Sequence, residues 1–168
     1  TAAIVEFPGV LYRGGAEQKI RKYMIDNNYV DAVIQLPSDL FFGTSIATCI
    51  LVLKKNKTDN NILFVDASEE FVRNTNKNKL SNTNINNIVN LLKDRVPVEN
   101  KAYLATYDEI KENDYNISVN SYLKTNTNEV KIDIEEVNRK LAEIVPRQQQ
   151  IREELEEIIR ELESDYHE

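Results

Sequence analysis

Histidine and glycine are scarce in this chain, and their scarcity excludes several classes of chemistry. The one histidine, His167, is next to last of 168 residues, so histidine-based catalysis and a zinc site lack ligands. The four glycines form no G-x-G pattern, so no nucleotide-cradling loop is present, and no G-x-S-x-G nucleophile motif occurs. Taken alone, the residues therefore make up no complete catalytic constellation.

Cysteine and long apolar runs are also lacking. The single cysteine, Cys49, allows no disulfide within the chain, and its apolar surroundings predict a small buried hydrophobe. No apolar run approaches the ~20 residues needed to span a bilayer, and no signal peptide is visible. These features favour a cytoplasmic protein without a membrane partner. The first residues, TAAIVEF, already resemble a strand and include no methionine, so we expect a fragment of a longer protein.

Positive charge is in deficit, since the net charge is −7. An acidic chain is a poor stand-alone nucleic-acid binder, because neutralising phosphates requires clustered Lys and Arg. A role on DNA would therefore need an assembly in which a partner carries the positive surface.

The pattern that is present predicts an α/β fold with a mixed sheet. Strands are predicted at residues 2–7, 30–36, 48–54 and 62–66. A helix with Ala16, Ile20, Tyr23 and Met24 on one face makes the first two strands a parallel crossover unit. The gap before residue 48 is too short for a second crossover, so the third strand should run antiparallel. Its run CILVL is continuously apolar, as expected where both faces of a sheet are covered.

The second half of the chain is predicted to be mostly loop and helix. Residues 68–101 should hold one helix, with Ile85, Ile88, Val89 and Leu92 on one face, and otherwise loop. A helical turn is predicted at residues 108–112. From residue 133 onward the pattern is helical, with apolar stripes on both sides of Pro146, which should kink or break the helix. Such stripes must pack on something, either their own domain or, as we prefer, a helix of another chain.

Several stretches taken together resemble a known family. They are AAIVEFPGVLYRGGAEQKIRKYMIDNN, VDAVIQLPSDLFFGTSIATCILVLKKNK, ILFVDAS and EIKENDYNISVNSYL, in this order and spacing. They closely resemble the C-terminal part of the modification (M) subunit of type I restriction-modification systems, which are adenine-N6 DNA methyltransferases using S-adenosylmethionine. The resemblance implies the C-terminal half of a Rossmann-like methyltransferase sheet in residues 1–128, and a helical tail for subunit docking in residues 129–168. The family's topology also implies that strand 48–54 lies between strands 2–7 and 30–36.

The family's cofactor loop and its Asn-Pro-Pro-aromatic motif have no counterpart here. Both lie upstream in the family, and the prolines of this chain, Pro8, Pro37, Pro97 and Pro146, are all isolated. The resemblance therefore implies that the chain begins just after the catalytic motif, at the fifth strand of the methyltransferase sheet. We expect this fragment to bind no S-adenosylmethionine and to be inactive alone.

Two adjacent phenylalanines in LPSDLFFGTSIAT are the candidate base-binding residues. Enzymes that modify a base flip it out of the duplex into a pocket. In related adenine methyltransferases, an aromatic residue just before the antiparallel strand stacks on that base. Phe41 matches it, with Phe42 as the alternative, and Gly43 and Thr44 would let the loop approach the base. The other interpretation is that both rings only cover the end of the sheet.

The resemblance also implies partners. M subunits of the family end in helices that bundle with the specificity (S) subunit, which assigns docking to Leu141, Ile144, Ile151, Leu155, Ile158 and Leu162. A restriction (R) subunit and double-stranded DNA, bound through the complex, are the other expected partners. Arg13, Gly14, Glu17 and Arg21 match the family pattern, with no role beyond shaping the turn and the helix start. The alternative function is a non-catalytic interaction module that docks through its C-terminal helices.

Overall fold

A computed structural model of the chain describes residues 1–123 and 134–165. The chain forms two compact units, Thr1–Asn126 and Thr127–Glu168, and each is described by itself. His167 lies outside the described residues, as does the side chain of Leu162. None of the helices in the described ranges combines the length and the apolar character needed to cross a membrane.

A five-stranded mixed sheet forms the centre of the first unit. The strands of this unit are β1 (Ala2–Glu6), β2 (Val30–Gln35), β3 (Cys49–Leu53), β4 (Ile62–Asp66), β5 (Val72–Asn74), β6 (Lys77–Lys79) and β7 (Ala102–Ala105). The sheet order is β1-β3-β2-β4-β7, while β5 and β6 pair with each other. β3 runs antiparallel to both β1 and β2, and β2 runs parallel to β4. The predicted antiparallel strand between the first two strands is therefore confirmed.

Both faces of the sheet are covered at β3, which explains why this strand is continuously apolar. Successive side chains of a strand point to opposite faces. Cys49 and Leu51 belong to the core cluster on one face, while Ile50 and Val52 pack against the cluster on the other. Successive residues of β3 therefore pack on opposite layers, which favours apolar side chains along the whole strand.

Three helices accompany the sheet: α1 (Ala16–Asp26), α2 (Asn82–Asp94) and α3 (Tyr107–Glu112). All three were predicted, but the packing faces of α1 and α2 were partly wrong. Ile20 and Tyr23 of α1 are exposed, whereas Arg21 and Ile25 are buried. In α2, Ile88 is buried and Leu91 and Leu92 pack on the core, whereas Ile85 is exposed. In each helix the buried face overlaps the predicted one only in part, at Met24 in α1 and at Ile88 and Leu92 in α2.

The prediction of loop around α2 was wrong at residues 72–79, which form the β5–β6 hairpin. The strand β7, which pairs antiparallel with β4, was also missed. Both errors arise because the strands are only three or four residues long, and in the hairpin Asn and Lys also have low strand propensity. Tertiary pairing, not local preference, makes these segments extended.

The described part of the second unit is the helix α4 (Ile134–Asp165), which runs through Pro146. The helix therefore does not break at this proline, and the alternative of a kink stays a prediction. Proline removes one backbone hydrogen bond and crowds the preceding turn, at a cost of about 3 kcal/mol. Residues on both sides are mostly strong helix formers such as Gln, Glu, Arg and Leu, so the helix continues on both sides of the lost bond.

Candidate functional site

Three connections leave the sheet at the same edge. β1 and β2 are both antiparallel to β3 and so run in the same direction, and β4 is parallel to β2. The segments that follow β1, β2 and β4 therefore all start at the carboxyl ends of parallel strands. Ligands of open α/β sheets bind in the crevice at this edge. The loop with the two phenylalanines, which follows β2, is one of these three connections.

That loop is closed at its base and exposed at its tip. The backbone N–H of Leu36 donates to the carbonyl of Thr48 over 2.9 Å, which brings the two ends of the loop together. At the tip, Phe41 is 41% exposed and Phe42 is 95% exposed. The two rings thus differ, since Phe41 is partly held by its surroundings and Phe42 is almost entirely in solvent.

Gly43 and Thr44 determine the backbone turn after the phenylalanines. Gly43 has a φ of 79°, a left-handed conformation that favours glycine. The Thr44 hydroxyl accepts a 3.0 Å hydrogen bond from the backbone N–H of Ile46, which closes a local turn. Ile46 is also exposed, so three apolar side chains of this loop face solvent. Exposed apolar groups this close together are typical of a binding surface.

The β5–β6 hairpin contacts the loop through polar side chains that the sequence analysis did not single out. The backbone N–H of Asn78 donates to the Asp39 carbonyl (3.0 Å), and its side-chain amide donates to the Ser38 carbonyl (2.9 Å). Lys77 donates to the Thr44 carbonyl over 3.0 Å. The only sequence signal for this arrangement was the short Thr-Asn turn between residues 72 and 79, within a stretch of generally polar composition.

The segment after β1 is fixed by Arg21, one of the residues of the family pattern. Its buried guanidinium donates to the carbonyls of Val10, Arg13 and Tyr115 at 2.9, 2.7 and 3.0 Å. A Cβ at Gly9 would lie 2.8 Å from Nε of Arg13, so the Arg13 side chain packs closely over the glycine and would have to shift for any other residue. These contacts explain why Arg21 is buried on α1, and they give it a structural role.

The cavity beside β4 is acidic. It has a volume of about 430 Å³ and is lined by Asp66, Ser68, Glu69, Glu70, Glu99, Asn100 and Lys101. Hydrogen bonds from Asn84, Asn87 and Lys101 hold the pKa of the Glu70 carboxyl below its usual range, so Glu70 stays charged. Within the described ranges, no group of His, Cys, Asp and Glu side chains is arranged to hold a metal ion. Such a charged, acidic wall is unsuited to a phosphate or nucleotide anion.

Cys49 has no features of a nucleophile. It is fully buried at the start of β3, and its thiol donates to the Glu6 carbonyl over 3.4 Å. Burial, with a smaller contribution from the Glu6 carboxylate, raises its pKa to about 11. The thiolate, which is the reactive form, is therefore suppressed at neutral pH. The expectation of a buried hydrophobic cysteine is confirmed.

The helix α4 carries exposed apolar side chains along its length. They are Leu141, Ile144, Val145, Ile151, Leu155, Ile158 and Ile159. Residues at these spacings share one side of a helix. Hydrogen bonds between Gln149 and Glu153, and between Gln150 and Glu154, lie on the polar side. The helix is thus amphipathic and its apolar side is uncovered.

Comparison with known proteins gives the family. Residues 1–131 match the model of the N-6 DNA Methylase family. The chain belongs to this family. The type I restriction enzyme MpnII methylase subunit of Mycoplasma pneumoniae is 46% identical over 99% of this chain. The MjaVIII methylase subunit of Methanocaldococcus jannaschii is 36% identical over 83% of it. The crystal structure of the type I restriction-modification methyltransferase subunit from Streptococcus thermophilus matches 73% of this methylase-family chain at 44% identity and a TM-score of 0.71.

These matches confirm the resemblance to type I modification subunits and support an α/β methyltransferase fold. The methylase-family chain spans only part of each relative. It covers 31% of the Mycoplasma protein, 25% of the Methanocaldococcus protein and 26% of the Streptococcus chain.

Proposed function

We propose that this chain is part of the modification subunit of a type I restriction-modification system, which transfers a methyl group from S-adenosylmethionine to adenine N6 in DNA. The observation that carries the proposal is the exposed phenylalanine pair at the carboxyl edge of the sheet, in a member of the N-6 DNA methylase family. In this proposal the chain provides the C-terminal half of a Rossmann-like sheet, residues 1–128, and the docking tail, residues 129–168.

The chemistry explains why an aromatic face is useful at this edge. The lone pair of adenine N6 is delocalised into the ring, so the amino group is a weak nucleophile and must be held accurately. The base has to leave the duplex to be reached, which costs unpairing and unstacking energy. A ring that stacks on the extruded base recovers part of this cost, about 1–3 kcal/mol per base. We assign this stacking to the loop between β2 and β3.

Phe41 is the better of the two candidates. Phe41 is 41% exposed, so more than half of its surface is covered while the rest stays accessible. Phe42, at 95% exposed, has little around it to fix its ring, and ordering a free side chain on binding costs about 0.5–1.5 kcal/mol. Gly43 and Thr44 shape the turn that brings the loop to the base.

The cofactor is assigned to residues outside this chain. The four glycines of this chain form no G-x-G pattern, so the loop that holds the cofactor in the family is not among its residues. We therefore derive no step through S-adenosylmethionine. The contribution of this chain is to hold the target base and to join the subunits.

The second candidate function is an interaction module, and the uncovered apolar side of α4 favours it. We propose that Leu141, Ile144, Ile151, Leu155, Ile158 and Leu162 dock on helices of the S subunit, with the R subunit and double-stranded DNA completing the assembly. The two functions are compatible, because an acidic subunit needs a partner to bring it to DNA.

The test uses the full-length protein that contains this chain, co-expressed with its S subunit. The purified complex is incubated with labelled S-adenosylmethionine and DNA from a host that lacks the system. We expect label in N6-methyladenine, and none in DNA that the complex has already methylated to completion. A complex that forms and binds DNA but transfers no label would reject the methyltransferase proposal and leave the interaction module.

A further inference from the structure

We propose that the β5–β6 hairpin is a positioning element for the base-stacking loop, with Asn78 as its main positioning residue. The inference rests on the proposed function of the loop between β2 and β3. The hairpin lies outside the central sheet, pairs only with itself, and makes its polar contacts with the part of that loop that carries Phe41 and Phe42.

Asn78 is built into the entry of the loop. It is 7% exposed and lies between the half-buried Lys77 and the exposed Lys79. Its Nδ2 donates to the Ser38 carbonyl over 2.9 Å, and its Oδ1 accepts from Arg73 over 3.1 Å. Its backbone N–H donates to the Asp39 carbonyl over 3.0 Å. A buried amide with both ends paired has one orientation only, so Ser38 and Asp39 are held by specific bonds.

Lys77 holds the exit of the same segment. Its Nζ donates to the Thr44 carbonyl over 3.0 Å and lies 3.7 Å from the Asp39 carboxylate. Arg73 adds a second cation 3.6 Å from that carboxylate. Exposed ion pairs of this length contribute little individually. The directed bonds of Asn78 and Lys77 to backbone carbonyls are therefore the contacts that fix the geometry.

The two phenylalanines lie between these anchor points. Asp39, just before them, has a φ of 56°, a left-handed conformation that is uncommon for residues other than glycine but that aspartate tolerates. The hairpin thus binds this turn on one side of the pair and the carbonyl of Thr44 on the other. A stacking ring must be preorganised to contribute its full binding energy, because ordering it during binding opposes the gain.

Chymotrypsin gives a direct measure of loop opening, since it cleaves after Phe41 or Phe42. Cleavage of a native loop tracks the population of its opened form. In the full-length M subunit, Asn78→Ala should speed cleavage at this loop by about 5-fold or more, as expected for losing a buried hydrogen-bonded amide. The matched control is Asn76→Ala, which changes an exposed asparagine in the turn of the same hairpin and should leave cleavage unchanged.

A second readout separates positioning from general damage. The sequence that the wild-type complex methylates is first identified in its DNA product. Two duplexes of that sequence are then made, one with the target adenine and one that lacks this base. Asn78→Ala should slow methyl transfer to the intact duplex by about 5-fold or more, the lower end of the stacking range. Its affinity for the abasic duplex should equal that of wild type, because no base needs to be stacked. A merely misfolded variant loses both.

Asn78→Asp and Lys77→Met keep the test decisive if Asn78→Ala folds poorly. The aspartate keeps the acceptor for Arg73 and loses the donor to Ser38, while the methionine removes the bond to Thr44 and the weak ion pair with Asp39. Unchanged cleavage in all folded variants, or faster cleavage with normal methyl transfer, overturns the positioning role. If Phe41→Ala loses methyl transfer while the hairpin variants keep the wild-type rate, only the positioning role is rejected and the base-stacking proposal stands. Normal transfer in Phe41→Ala instead rejects the base-stacking proposal itself.

Discussion

Replacing Phe41 with alanine tests the proposed base-stacking role most directly. Loss of a stacking ring worth about 1–3 kcal/mol should lower methyl transfer to a specific duplex by about 5-fold to 150-fold at subsaturating DNA. Phe42→Ala should lose much less activity, because the Phe42 ring has few contacts that fix its orientation. The assay measures initial rates of transfer from labelled S-adenosylmethionine by the full-length M–S complex.

The structure also gives the expected effect on stability. A phenylalanine buries at most about 150–250 Å² on folding. Since Phe41 is 41% exposed, truncation removes roughly 100 Å² of buried surface, an upper limit of about 2.5 kcal/mol. Phe42, at 95% exposed, loses only about 0.2 kcal/mol. Melting temperatures are therefore measured for both variants, so that a loss of fold is not mistaken for a loss of stacking.

A matched pair of substitutions separates the two effects. Phe41→Leu keeps most of the apolar packing but has no aromatic face, whereas Phe41→Tyr keeps the face. We expect Phe41→Leu to melt near wild type with reduced transfer, and Phe41→Tyr to retain activity. Equal transfer rates for Phe41→Ala and the wild-type enzyme would refute the reasoning.

Three further results are expected. Calorimetric titration of this chain with S-adenosylmethionine should show no binding, and a micromolar dissociation constant would contradict the assignment of the cofactor to other residues. Leu155→Asp with Ile159→Asp should abolish co-purification of the M and S subunits on gel filtration, because two charges in an apolar contact cost several kcal/mol. The control, Gln149→Asp with Gln150→Asp, adds the same charge on the polar side of α4 and should leave the complex intact. If the M–S complex forms with the first pair of substitutions as well as with the control, α4 is not the docking surface. Cys49 should react with a thiol reagent only after unfolding, since burial raises its pKa to about 11, and rapid reaction in the native state would contradict its burial.

The pH dependence of the last result follows from the sign of the shift. A thiol whose pKa is raised in the folded state keeps its proton where the unfolded chain has already lost it. Cys49 therefore reduces stability as the pH rises above the ordinary pKa of a cysteine, up to its folded value of about 11. The reaction of Cys49 with the thiol reagent in the folded protein should stay slow throughout that pH interval and become faster only as the protein unfolds.

The first four strands and the antiparallel direction of β3 were predictable from sequence because they depend on local features. Apolar runs mark β1 to β4, and the connection between β2 and β3 is too short for a parallel crossover. The same pattern located α1, α2 and α3. The resemblance to the modification subunits was also accessible from sequence, since it rests on the order of several motifs, and the family match confirms it.

Other features were decided only by tertiary contacts. The rotation of α1 follows from the buried Arg21, whose acceptors include the carbonyl of Tyr115, 94 residues away. The hairpin is extended although its Asn and Lys residues disfavour strands, and Asn78 reaches the Ser38 carbonyl 40 residues earlier in the chain. Local periodicity reports which side of an element is apolar, but it carries no information about a hydrogen-bond partner that is distant in sequence. The loop with Phe41 could therefore be found from sequence, whereas the residues that hold it appeared only when the chain was folded.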